Sequence, residues 1–268
     1  MRRNKLLILD FDGTLCLGDD PVLTYAAQVD AMLRERGLTA RLPRTVHQIV
    51  AEALAADQLL AAEISYRSDG TPEAAAEQLD GQDPIQPAEA HPVSWPLQDG
   101  YQLTQLLAHQ AGLTGAESGA CFRRARRQLV AAGLETTDLH APAGAAQLLD
   151  ELRSRAVVVL ITNSPAEGFA PWLATLGLTA SFDAVINDAR KPFGMPEALA
   201  AARAADDSAA STEDVLSVGD IWRNDLAHVS AEGGTTVLID RFRTGLGVPD
   251  HRVSDWSEVG PLLHRWVE

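Results

Sequence analysis

Residues 5–9, KLLIL, form a short apolar run that stops on Asp10. Its length and the glycine at 13 predict a strand over 5–10. From Pro21 to Gly133 the apolar positions instead recur at three- and four-residue spacing. PVLTYAAQVDAMLRERG, RTVHQIVAEALAADQLLAAEI, YQLTQLLAHQAG and ESGACFRRARRQLVAAG therefore predict helices, with no strand among them. Between the second and third lies a segment carrying Pro72, Pro84, Pro87, Pro92 and Pro96. Proline breaks helix and strand alike, so a surface connection or a lid is expected there.

Beyond Ala141 the pattern changes. PAGAAQLLDELRSR predicts a helix with Pro142 in its first turn. AVVVLITN is a continuous β-branched run, as fully buried parallel strands are. Helix GFAPWLATLG, strand FDAVIND, helix MPEALAAARAA, strand DVLSVGD, helix RNDLAHVSAEG and strand TTVLI follow in turn. Such alternation implies an α/β fold: a Rossmann-like parallel sheet with helices on both faces. The expected organisation is a core of residues 1–18 and 139–268, with a mostly α-helical insertion over 19–138. Right-handed crossovers put the C-terminal ends of all the strands on one edge, where ligands bind in such folds. Asp10, Thr162, Asp188 and Asp220 fall at or just after those ends.

The formal charge of −15 speaks against a nucleic-acid surface, which needs a basic footprint. Two cysteines, Cys16 and Cys121, suggest neither a disulfide framework nor a zinc site. The start MRRNKLLILD is too short an apolar run for a signal peptide, and no stretch approaches the roughly 20 residues of a membrane span. A cytoplasmic enzyme without a membrane or nucleic-acid partner is expected. One bias sharpens the search: the only lysines are Lys5 and Lys191, in a chain that otherwise uses arginine.

Asp10 and Asp12 are two apart, so they share a face if the strand continues. With Asp220 they can supply the hard oxygen ligands that magnesium prefers. A carboxylate can also act as a nucleophile, and a second one can protonate a leaving oxygen and then activate water.

DFDGT, ITNS, RKP around Lys191 and VGDIWRND resemble the four ordered motifs of the haloacid dehalogenase-like hydrolase superfamily. The resemblance covers the first strand and residues from about 140 to 240, and the helical insertion looks like the cap between the first two motifs. It implies a phosphatase acting on a small phosphorylated metabolite with Mg2+. Asp10 matches the nucleophile and Asp12 the general acid and base. Thr162 matches the hydroxyl on the transferring phosphoryl group, with Asn163 beside it in the phosphate loop. Lys191 matches the lysine that offsets charge on nucleophile and phosphate. Asp220 matches the metal ligand, together with Asp10 and the main-chain carbonyl of Asp12. Either Asn224 or Asp225 matches the residue that supports the metal or the lysine.

Asp12 tells against carbon-attacking dehalogenases of the superfamily, which lack that acid and need no metal. A sugar phosphomutase would also require Asp12, and a non-catalytic binding protein on this fold is the alternative of a different class. A large cap would screen the crevice from a phosphoprotein. Arg123, Arg124, Arg126 and Arg127 on one predicted helix are read as a solvated face or as an attractor for a second anionic group. His91, Trp95 and Trp222 are weaker candidates for substrate contact or packing.

Overall fold

The computed structural model describes residues 3–59, 97–205 and 214–268. The proline-rich segment up to Pro96, with His91 and Trp95, lies outside them. Two compact units are present, one of residues 1–18 and 133–268, the other of residues 19–132.

The first unit is built on six parallel strands in the order β3-β2-β1-β4-β5-β6. They are β1 (Lys5–Leu9), β2 (Ala156–Ile161), β3 (Ala184–Ile186), β4 (Val215–Gly219), β5 (Thr235–Ile239) and β6 (His251–Val253). β1 sits between β2 and β4, with Leu7 opposite Val158 on one side and Leu216 on the other. All six residues of β2 are buried, as its unbroken apolar run requires when helices cover both faces. On one face Leu6, Ile8, Val157 and Val159 pack against Met195, Ala198, Leu199 and Ala202. β3 closes one edge in three residues, with Val185 exposed; a short edge strand offers little template for pairing with another chain.

The second unit is helical: α1 (Asp20–Glu35), α2 (Val46–Ala55), α3 (Gly100–Gln110) and α4 (Gly115–Ala132). Buried Asp30 on α1 accepts from the amides of Val46 (2.8 Å) and His47 (3.0 Å), satisfying the open N-terminus of α2. Tyr25, Tyr101 and Phe122 form an aromatic cluster with centroids 5.7 to 6.3 Å apart. The arginines of α4 part company. Arg126 is buried with its guanidinium 5.6 Å from the Phe122 ring, Arg124 lies 3.6 Å from Glu35, and Arg123 and Arg127 are exposed. They therefore make neither one solvated face nor one basic patch.

In the sheet-bearing unit follow α5 (Ala145–Leu152), α6 (Ala170–Thr175), α7 (Met195–Ala204), α8 (Ala227–Ala231) and α9 (Val259–Val267). α5 begins three residues beyond Pro142. Gly144, left-handed at φ 74°, is its N-cap, and Pro142 lies in the preceding turn, its carbonyl accepting from Ala145. No described helix is long and apolar enough to cross a membrane.

Asp183, just before β3, ties three segments together. It accepts from Arg3 (2.9 Å), Arg153 (3.0 Å) and the Val158 amide (2.9 Å). Burial works to raise its pKa, but these bonds outweigh it and hold the carboxyl below its usual value. A depressed carboxyl contributes stability above its unfolded pKa and loses it as pH falls through the folded value. Asp183→Ala is thus expected to cost about 1–3 kcal/mol at pH 7 in denaturant unfolding. The gap between wild type and variant should shrink below about pH 4.

Candidate active site

The strand order reverses between β1 and β4, and in such sheets ligands bind beyond the strand ends at that switch point. Asp10 follows β1 and Asp220 follows β4; the Asp10 amide still donates to Val218 O at 3.0 Å. Phe11 turns away into the core, fully buried and edge-on to Phe169 at 4.7 Å. The chain then turns sharply: Phe11 O accepts from the amides of Leu15 and Cys16 at 2.9 and 2.8 Å. Gly13 makes this possible. It has φ +87°, and a Cβ there would lie 2.0 Å from Asp220 Oδ2. Glycine is thus what lets the Asp220 carboxylate reach the turn between Asp12 and Thr14.

Lys191 enters from the β3–α7 connection. Its ammonium donates to Asp10 Oδ1 (2.6 Å), Asp225 Oδ1 (2.6 Å) and Ile161 O (2.9 Å). Three protons meet three acceptors, and the side chain is 3% exposed. Its approach is held by unusual backbone: Asp188 and Arg190 both have positive φ, at 51° and 53°, and Lys191–Pro192 is cis. Positive φ at a residue with a side chain costs on the order of 1 kcal/mol or more. The connection is laced to the β2 end against that cost. Ala189 N donates to Thr162 O (3.1 Å), Asp188 N to Ser164 O (3.0 Å) and Asn187 Nδ2 to Ser164 O (3.1 Å).

Asn163 completes the lacing. Its Oδ1 accepts from Lys191 N at 2.6 Å and its Nδ2 donates to Lys191 O at 3.1 Å. Its amide side chain therefore grips the lysine's peptide. Thr162 is buried, with Oγ1 accepting from Ser164 N at 3.0 Å. Ser164 Oγ donates to Asp12 Oδ2 at 2.7 Å.

The last motif forms a single π-helical turn, Trp222–Leu226, and such turns often mark functional sites. Both carboxylate oxygens of Asp225 are engaged, Oδ1 by Lys191 and Oδ2 by the Ile221 amide (2.9 Å). Asn224 Oδ1 is buried and accepts no hydrogen bond among the described residues. The geometry thus gives the two neighbours different work: Asp225 holds the lysine, and Asn224 presents an unused acceptor. Trp222 packs on the β5–β6 loop, where a Cβ on Gly247 would lie 2.5 Å from its Cγ.

Burial pushes the Asp10 carboxyl up to about 7. The Lys191 ammonium opposes that rise, while the Asp225 and Asp12 charges add to it. Burial works against the Lys191 charge too, but Asp10 and Asp225 outweigh it and keep the ammonium above its ordinary pKa. The donor set suits a hard divalent cation: carboxylate oxygens of Asp10, Asp220 and Asp225 lie within 4.8 Å of one another.

Ser164 carried no signal by itself, being one serine after a strand. Nor does spacing supply the bond from Lys191 to Asp225.

A model of the haloacid dehalogenase-like hydrolase family matches residues 4–228. Solved structures share the fold at low identity. One, described as a predicted phosphoglycolate phosphatase of Haemophilus somnus, is 16% identical with a TM-score of 0.55, covering 98% of this chain and 99% of that one. Another, described as a HAD-hydrolase of Bacillus subtilis bound to magnesium, is 17% identical with a TM-score of 0.53, covering 98% and 100%. A third, a haloacid dehalogenase-like family protein of Streptococcus pneumoniae, is 13% identical with a TM-score of 0.53, covering 98% and 99%. Among curated proteins none matches the chain.

Proposed function

The chain belongs to the haloacid dehalogenase-like hydrolase family, and we propose that it is a magnesium-dependent phosphatase of small phosphomonoesters. The observation that carries this reading is the buried Lys191 ammonium 2.6 Å from Asp10, beside a separate carboxylate at Asp12. A nucleophile that must approach an anionic ester needs a cation beside it, and a second carboxylate supplies the acid that an alkoxide leaving group needs.

In this reading an Asp10 carboxylate oxygen attacks phosphorus. The P–O bond to the alcohol breaks, its electron pair stays on the alcohol oxygen, and that oxygen takes the proton from Asp12. The resulting aspartyl phosphate is cleaved by water. Asp12, now a carboxylate, removes a proton as the water oxygen bonds phosphorus, and the Asp10–phosphorus bond breaks to release inorganic phosphate. Lys191 stays bound to Asp10 throughout, and the Thr162 hydroxyl would hydrogen-bond the phosphoryl oxygens. Asp10, Asp220, the Asp12 carbonyl and either Asn224 or Asp225 would hold magnesium, which would supply charge neutralisation at the phosphoryl group. The helical unit of residues 19–132 is assigned the role of cap, selecting the ester.

Release of inorganic phosphate from a panel of small esters tests this. Turnover is expected with magnesium, and a chelator should remove it, with magnesium restoring it. Halide release from a haloacid in chelator, with no phosphate from any ester, would replace this reading by a dehalogenase. Undiminished activity in chelator would remove the metal from it.

A further inference from the structure

We propose that Ser164 is the residue that positions Asp12 as general acid, a role that rests on the phosphatase reading. Ser164 is fully buried, and every polar atom it has is engaged. Its amide donates to Thr162 Oγ1 at 3.0 Å, which fixes it to the phosphate loop. Its carbonyl accepts from Asp188 N at 3.0 Å and Asn187 Nδ2 at 3.1 Å, which fixes it to the connection that carries Lys191. Only the hydroxyl points out of this frame, and it donates to Asp12 Oδ2 at 2.7 Å. Asp12 lies beyond the end of β1, bridged by its backbone to Cys16, and its carboxylate must be restricted in rotamer before it can meet a leaving oxygen. The serine hydroxyl holds one carboxylate oxygen, Oδ2, and so fixes the orientation of the group that carries the proton. The same frame sets Thr162 and Lys191, so the acid is registered to the residues that would hold the phosphoryl group.

A residue that positions a general acid has a signature that a structural residue lacks. Its loss matters when the leaving oxygen needs a proton and not when it leaves readily as an anion. The variants Ser164→Ala and Ser164→Cys are measured with magnesium on phenyl phosphate and on para-nitrophenyl phosphate. Phenoxide, conjugate base of an alcohol with a pKa near about 10, is the poorer leaving group. Both variants are expected to lose about 10-fold or more in kcat on phenyl phosphate and less than about 3-fold on para-nitrophenyl phosphate. Ser164→Thr, which keeps the hydroxyl, should restore much of the phenyl phosphate rate. Asp12→Asn should show the same selectivity more strongly. Equal losses on the two esters in a folded serine variant would overturn the role of Ser164 alone. Failure of the wild-type protein to turn over these or any other ester would overturn the phosphatase reading and this inference with it.

Discussion

Asp10→Asn is expected to lower phosphate release by about 1,000-fold or more while leaving the protein folded. The amide is nearly isosteric with the carboxylate, so the main-chain bond to Val218 O persists, and its side-chain oxygen can still accept from Lys191, which also keeps Asp225 and Ile161 O. What disappears is the anionic oxygen that bonds phosphorus. Stability should change little or rise, because burial already pushes the Asp10 carboxyl up to about 7. A group whose folded pKa exceeds its unfolded value destabilises the fold increasingly as pH rises through that interval. Removing its charge relieves that cost at pH 8 more than at pH 5. Rate and stability should therefore move in opposite directions, which loss by misfolding would not produce. Steady-state phosphate release and urea unfolding at the two pH values measure both.

Lys191→Met is expected to damage both. It leaves two buried carboxylates, Asp10 and Asp225, without the cation that contacts each at 2.6 Å. Breaking a buried pair from one side costs about 3–5 kcal/mol. In the wild type the raised lysine pKa makes its contribution fully present below the ordinary lysine value, fading only as pH rises through the higher folded one. The ammonium thus stays charged from pH 5 to pH 8, whereas Asp10, pushed up to about 7, is ionised at pH 8 and protonated at pH 5 in the wild type. In the variant Asp10 loses the cation that opposed its rise and takes up a proton more readily still, so the deficit should narrow at pH 5 relative to pH 8. Activity should fall by about 100-fold or more, the scale seen when one preorganised charge-stabilising group is lost. Lys191→Arg is not a conservative rescue, since a planar fork cannot place three donors on Asp10, Asp225 and Ile161 O. A stability deficit that is flat with pH would show that the carboxylates had found other partners.

Much of this was legible because buried parallel strands carry unbroken apolar runs. KLLIL and AVVVLI mark β1 and β2, and the aspartates at strand ends mark the crevice. The scarcity of lysine was informative twice over. Lys191 lies at the site, and Lys5 donates to Trp266 O in α9, tying the last helix to the first strand. What the pattern hid was short or irregular. β6 has three residues, too few to show a period. VGPLLHRWV buries Val259 and Leu263 at helical spacing, yet the chain around it gave no strand to pair it with. The RNDLAHVSAEG stretch was expected to be one helix. It divides into a π-turn and α8, because Asp225 bends back to bond both Lys191 and the Ile221 amide. That bend depends on Gly219, whose Cβ would meet Asp225 Cβ at 2.4 Å, and no periodicity reports a close approach of this kind. Ser164 escaped notice for the same reason: its meaning lies in Asp12, Asn187 and Asp188, three partners distant along the chain.

The central claim is that Asp10 carries the phosphoryl group. Acid quenching of the enzyme during turnover of a phosphomonoester with magnesium, followed by mass spectrometry of its peptides, tests it most directly. The account predicts one added phosphoryl group on the peptide containing Asp10, absent in Asp10→Asn and absent without substrate. A phosphoryl group on any other residue, or steady hydrolysis by Asp10→Asn at the wild-type rate, would contradict it.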